Sequence, residues 1–129
     1  VRMPYHLSSP TQAIARAALA HRASLLAEVE AIKAQRDRIV DSLAAQGFPP
    51  VPSDANFVLF GGLADAARAW EALLAQGVLV RDVGIAHHLR VTAGTPEETT
   101  AFLDAMAGLP GEHRLDPHLP SAVSQGATA

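Results

Sequence analysis

The sequence predicts an α+β domain, with a small mixed or antiparallel sheet carrying helices on one face. Three observations carry that expectation. Four stretches show helical spacing or helix caps. Three short runs, NFVLF, VLVRDV and HLRVTAG, are rich in the β-branched and aromatic residues that suit strands. One of the helical stretches lies between the first two of these runs, and a short loop joins the second to the third. A strand–helix–strand unit joined to a hairpin closes a small sheet whose helices share one face.

The first element is a short helix in SSPTQAIARAALAH. Ser9 is placed to cap it, Pro10 takes the first helical position, and Gln12 completes a capping box. Ile14, Ala17, Ala18 and Leu19 form its apolar side. A long helix is expected over residues 24–46. Leu25, Val29, Ile32, Arg36, Ile39, Val40 and Leu43 recur along one face, and Glu28, Glu30, Lys33, Arg38 and Asp41 occupy the other. Gly47 sits where a left-handed C-cap belongs.

Pro49, Pro50 and Pro52 exclude helix from the next segment, and NFVLF follows as a buried strand. ADAARAWEALLAQG returns to helical period, with Ala66, Trp70, Leu73 and Leu74 as its buried side and Gly77 as its end. VLVRDV and HLRVTAG are the next two strands, separated by the loop GIAH. TPEETTAFLDAM is the last helix, with Thr95 as cap, Pro96 at the first position and Glu98 completing a capping box. Glu97 and Glu98 also suit the positive end of the helix dipole. From Leu109 onward the chain is rich in Pro, Gly and Ser, lacks any period, and reads as a disordered tail. The expected organisation is therefore a connecting segment and short helix over 1–23, the domain over 24–108, and a tail over 109–129.

With 129 residues, 49% hydrophobic and 18% charged, the chain suits one globular domain. A net charge of -3 leaves no basic surplus for phosphate backbones, so no nucleic-acid partner is expected. No run of about 18 apolar residues appears, so no membrane partner is expected either. Cysteine is absent, which excludes disulfides and thiolate zinc sites and fits a cytoplasmic protein. No secretory signal opens the chain. It begins with Val1, and VRMPYH reads like the middle of a longer protein, so a fragment is expected.

The candidate site residues start with two arginines. Strand alternation groups Arg81 with Leu79 and Val83, and Arg90 with Thr92. Paired as a hairpin, the two runs would bring Arg81 and Arg90 to one side. Two guanidiniums there form either a clamp for an oxyanion or a charged, solvent-facing surface. Asn56, after Ser53 and Asp54, stands at a turn-to-strand junction, where it either satisfies local backbone groups or faces a site. Histidines occur at 6, 21, 87, 88, 113 and 118 without ligand spacing or an acidic cluster, so no metal is expected. No nucleophile elbow or phosphate loop is present, and the glycines at 61 and 62 read as a turn.

Four segments taken together, VRMPYHLSSPTQAIARAAL, SDANFVLF, GVLVRDVG and HLRVTAGTPEETTAFLDAM, run in order over about residues 1–106. They resemble the fold type I pyridoxal-phosphate aminotransferases, and within them the histidinol-phosphate aminotransferases of histidine biosynthesis. The resemblance implies that this is the C-terminal small domain of a homodimeric enzyme. It implies that pyridoxal 5'-phosphate is bound mainly by an N-terminal part outside these residues. The implied reaction moves an amino group between L-histidinol phosphate and 2-oxoglutarate, with glutamate as the other product. Arg90 and Arg81 match the family's substrate-binding arginines, with Asn56 and Tyr5 as supporting residues. Lys33 is the only lysine, has Glu30 one turn before it, and lacks the motif of a Schiff-base lysine. No catalytic residue is therefore expected here, and the chain alone should be inactive. His6 stands where the family's PYN motif has asparagine. That departure keeps open an aromatic amino acid aminotransferase, which would present a carboxylate to the arginines. A catalytically empty anion-binding module is the alternative from another class.

Overall fold

The computed structural model of the chain describes residues 7–115. The chain forms two compact units, Val1–Ala31 and Ile32–Ala129.

In the first unit, α1 (Ser9–Ala20) is followed after His21 by the start of α2 (Arg22–Ala45). The cap of α1 is Ser8 rather than Ser9. Ser8 has extended backbone angles, and its hydroxyl accepts from the Thr11 N–H at 3.3 Å. That displaces Pro10 to the second helical position and frees Gln12 from the expected capping box. Its amide instead donates to the Leu7 carbonyl at 2.9 Å. Among the described residues of this unit, the large apolar side chains Leu7, Ile14, Leu19, Leu25, Leu26 and Val29 are exposed.

The second unit is built on a two-stranded antiparallel sheet. Strands β1 (Phe57–Phe60) and β2 (Leu89–Thr92) pair Phe57 with Thr92, Val58 with Val91, Leu59 with Arg90, and Phe60 with Leu89. Alternation then sends Val58, Phe60, Leu89 and Val91 to one face, where all four are buried. Helices lie against that face. The end of α2 contributes Ile39 and Leu43, α3 (Ala66–Leu74) contributes Ala69 and Leu73, and α4 (Pro96–Ala107) contributes Phe102, Leu103 and Met106. Phe60 is central, with ring centroids 6.5 Å from Phe48 and 5.9 Å from Phe102 in edge-on geometry. The expected α+β class with helices on one sheet face is the class observed.

Helix ends follow the sequence chemistry closely. At the end of α2, Gly47 adopts φ +83 while the Gly47 and Phe48 N–H groups donate to Ala44 and Leu43 carbonyls. This is a Schellman closure, and Phe48 carries its apolar contact into the core. Gly77 ends α3 the same way, at φ +78, with Val78 N–H donating to Leu73. At α4, Thr95 accepts from the Glu98 N–H at 3.2 Å and Glu98 accepts from the Thr95 N–H at 2.7 Å, which is the predicted capping box. Thr95→Ala is expected to remove about 1 kcal/mol of stability, read as a lower urea midpoint at unchanged slope.

Four expectations need correction. The run at 78–83 forms no ladder: it meets β2 only at the Arg81–Arg90 bridge. On the edge turned away from β2, the Val78 N–H closes the α3 cap and the Val80 carbonyl accepts from the Trp70 indole N–H at 2.8 Å. The stripe along α2 is buried only from Ile39 onward, and Leu25, Val29 and Ile32 are exposed. On α3, Leu74 is exposed and Trp70 half-buried, while Ala69 takes the buried position.

The tail does not begin at Leu109. Leu109 is buried, and Gly111–His113 form a 3-10 turn. Beyond it Arg114 bridges to Leu63, and Leu115 N–H donates to Gly62. Arg114 also donates to the Gln46 carbonyl and lies over the Phe48 ring. These backbone pairings order a segment whose composition alone looks loose. The remainder of the expected tail, 116–129, lies outside the described residues, as do Tyr5 and His6. Among the described residues no helix is long and apolar enough to cross a membrane.

Candidate functional site

The face of the sheet turned away from the core carries Phe57, Leu59, Arg90 and Thr92. Arg81 joins them through the single bridge. Its N–H donates to the Arg90 carbonyl and the Arg90 N–H donates to the Arg81 carbonyl, each at 2.9 Å. Residues exchanging both hydrogen bonds across an antiparallel pair project to the same side. The two guanidinium side chains therefore share one surface, although the hairpin expected to bring them together is reduced to one pair.

Like charges at directly opposed positions cost on the order of 1 kcal/mol unless an anion lies between or beside them. Among the described residues, no carboxylate forms an ion pair with Arg81 or Arg90. Asp82, next in sequence to Arg81, accepts from the Gly84 N–H at 2.8 Å and so serves the turn. Arg90 is half-buried, with its guanidinium carbon 4.6 Å from the centre of the Phe57 ring, and its Nε is buried without a hydrogen-bond partner.

Trp70, Leu79, Arg81, Asp82, Arg90 and Thr92 line an open recess of about 560 Å³. The Trp70 indole fixes one wall through its hydrogen bond to Val80. A second recess of about 460 Å³ is lined by Ile39, Val78, Val91, Ala93, Thr99 and Phe102 among others. It holds no guanidinium and offers an anion no counter-charge, so the first recess is the candidate site.

The other expected site residues lie elsewhere or play local parts. Asn56 is exposed, and its backbone carbonyl accepts from Ala93. The local bonding that is one reading of Asn56 is done by Ser53, whose hydroxyl donates to the Phe57 carbonyl at 2.6 Å and accepts from the Ala55 N–H at 3.2 Å. His87 lies in the loop before β2, as expected, and His88 lies just ahead of the strand rather than in it. The His87 Nδ1 lies 2.8 Å from the Leu63 carbonyl, so it carries the proton there, and His87 holds φ +65. Among the described residues no three His, Asp or Glu side chains gather as a metal set. Phe57 went unmarked in the sequence, and Trp70, expected on the buried side of its helix, packs against the core and also lines the recess. The signal for Phe57 was alternation: in NFVLF it shares a face with Leu59, opposite the buried Val58 and Phe60.

Known proteins give this arrangement a context. Residues 1–106 match the aminotransferase class I and II family. The chain is 62% identical over 109 residues to histidinol-phosphate aminotransferase from Paenarthrobacter aurescens (strain TC1), covering 84% of this chain and 29% of that protein. A crystal structure of a Burkholderia pseudomallei K96243 protein superposes with a TM-score of 0.64 at 34% identity, covering 70% of this chain and 29% of the other. A single mutant of aspartate aminotransferase from Thermus thermophilus superposes with a TM-score of 0.58 at 33% identity, covering 67% and 25% respectively. The chain thus spans under a third of the length of the relatives it matches. With its family match running from the first residue through most of α4, the chain belongs to the aminotransferase class I and II family.

Proposed function

We propose that this chain is the substrate-anion wall of a pyridoxal-phosphate-dependent aminotransferase acting on L-histidinol phosphate and 2-oxoglutarate. The observation that carries the proposal is the Arg81–Arg90 pair: two guanidiniums on one surface with no carboxylate partner among the described residues. The name of the 62% identical relative supports histidinol phosphate as the substrate. A phosphate monoester supplies several oxygens to two planar donor forks, which suits this pair.

Pyridoxal phosphate itself does not fit the residues of this chain. A lysine that binds a carbonyl cofactor must be desolvated and aimed at it. The sole lysine, Lys33, is exposed on α2. Cofactor chemistry therefore belongs to the rest of a longer enzyme, a homodimer in this reading. The residues here contribute orientation: by fixing the anionic end of the substrate, Arg90 and Arg81 restrict where its amino-bearing carbon can lie.

The test compares amino donors in the full-length enzyme. Transfer from histidinol phosphate to 2-oxoglutarate is expected to exceed transfer from phenylalanine at least tenfold in kcat/KM, and the 129-residue chain alone is expected to show none. Faster transfer from phenylalanine would move the assignment to an aromatic amino acid aminotransferase.

A further inference from the structure

Arg90 lines the recess with the Nε of its guanidinium closed off from solvent. Its Nε is buried and unpartnered, and the Phe57 ring lies 4.6 Å from the guanidinium carbon. Neither terminal nitrogen, by contrast, is among the buried unpartnered atoms, and neither makes a hydrogen bond among the described residues. The register explains the contact. Phe57 pairs with Thr92 and Arg90 with Leu59, so Phe57 and Arg90 are diagonal neighbours on the outer face, within reach of long side chains.

An arginine can grip an oxyanion side-on, through Nε–H and one terminal nitrogen, or end-on, through both terminal nitrogens. A dry Nε closed off by protein disfavours the first. We propose that Phe57 is the positioning residue for Arg90. Its ring holds the guanidinium and shields Nε, so that Arg90 receives the substrate anion end-on, beside Arg81. The proposal rests on the anion-binding reading above and adds a residue and a binding mode to it. Phe57 is half-buried on the outer face, away from the buried core side chains, so its replacement leaves that core intact.

The experiment titrates the full chain with inorganic phosphate and follows the arginine Nε–H resonances by NMR, with the Arg90 signal assigned by its loss in Arg90→Lys. In the wild type the Arg90 Nε–H is expected to exchange slowly with water and to shift little when phosphate binds. Phe57→Leu is expected to speed that exchange at least tenfold and to weaken phosphate binding about fivefold. Phe57→Tyr, which restores a ring, should keep both within twofold. Phe57→Met gives the same readout as leucine with a different shape, should leucine unsettle the strand. Unchanged exchange and affinity in Phe57→Leu, alongside lost binding in Arg90→Gln, would overturn the role of Phe57 and leave the anion site standing. A large phosphate-induced shift at the Arg90 Nε–H would overturn the end-on mode. Absence of phosphate binding by the wild type, or equal binding by Arg90→Gln, would remove the anion reading and this proposal together.

Discussion

Phe60→Ala is expected to cost about 3–5 kcal/mol, the largest stability loss of any single substitution considered for this chain. Phe60 is fully buried and its ring meets Phe48 and Phe102 edge-on, so it joins β1 to the α2 cap and to α4. Truncation leaves a cavity bounded by elements that are each anchored elsewhere. Phe48 is fixed by the closure at Gly47, and Phe102 sits mid-helix behind the Thr95–Glu98 box. Such a site collapses poorly, which places the cost near the upper end of the range. Small domains have total stabilities of roughly 5–15 kcal/mol, so the variant should lose about 2 M in urea midpoint or fail to fold cooperatively. Leu59→Ala, one residue away but on the outer face, is the control and should cost well under half as much. Equal losses at the two positions would contradict the strand alternation on which the sheet description rests.

The parts of the fold legible in the sequence are those set by local chemistry. Thr95, Pro96 and Glu98 specify a helix start whatever lies beyond it, and Gly47 and Gly77 take the positive φ that most side chains resist. The register of β1 was legible in part, because NFVLF is short and its two faces differ in burial. What was not legible depends on partners distant in sequence. An apolar stripe names a helix face but cannot say whether anything covers it. The stripe on α2 is continuous in sequence, yet only Ile39 and Leu43 on it are fully buried. Likewise LPGEHRL looks like a tail until the Gly62 and Leu63 backbone is there to pair with it.

The site divides the same way. Two arginines on one face could be read from alternation, because that needs only a local period and one assumed pairing. That the pairing would be limited to a single bridge could not, since alternation fixes which face a side chain takes and not the length over which two runs stay paired. The contact between Phe57 and Arg90 was hidden for a related reason. It is a diagonal between strands separated by α3, and it exists only in the register that pairs Leu59 with Arg90.

Arg90→Gln separates a residue kept for binding from one kept for folding, because the two roles predict losses in different quantities. As an anion ligand, Arg90 supplies charge-assisted hydrogen bonds, so its loss should weaken inorganic phosphate binding about 100-fold at low salt, or about 2.7 kcal/mol. As a structural element it sits directly opposite another arginine, with a buried and unpartnered Nε. Removing it relieves the like-charge pair and the unsatisfied donor while forfeiting the contact with Phe57. These terms are of similar size, so stability should stay within about 1 kcal/mol of wild type, and an increase is as consistent as a small decrease. Arg90→Lys keeps the charge but loses the planar fork, and should recover only part of the binding. A stability loss above about 2 kcal/mol with phosphate binding intact would reverse the assignment and make Arg90 a structural residue. The expected pattern is the reverse: a chain that keeps its stability to within about 1 kcal/mol without this guanidinium and no longer holds the anion that makes its position tolerable.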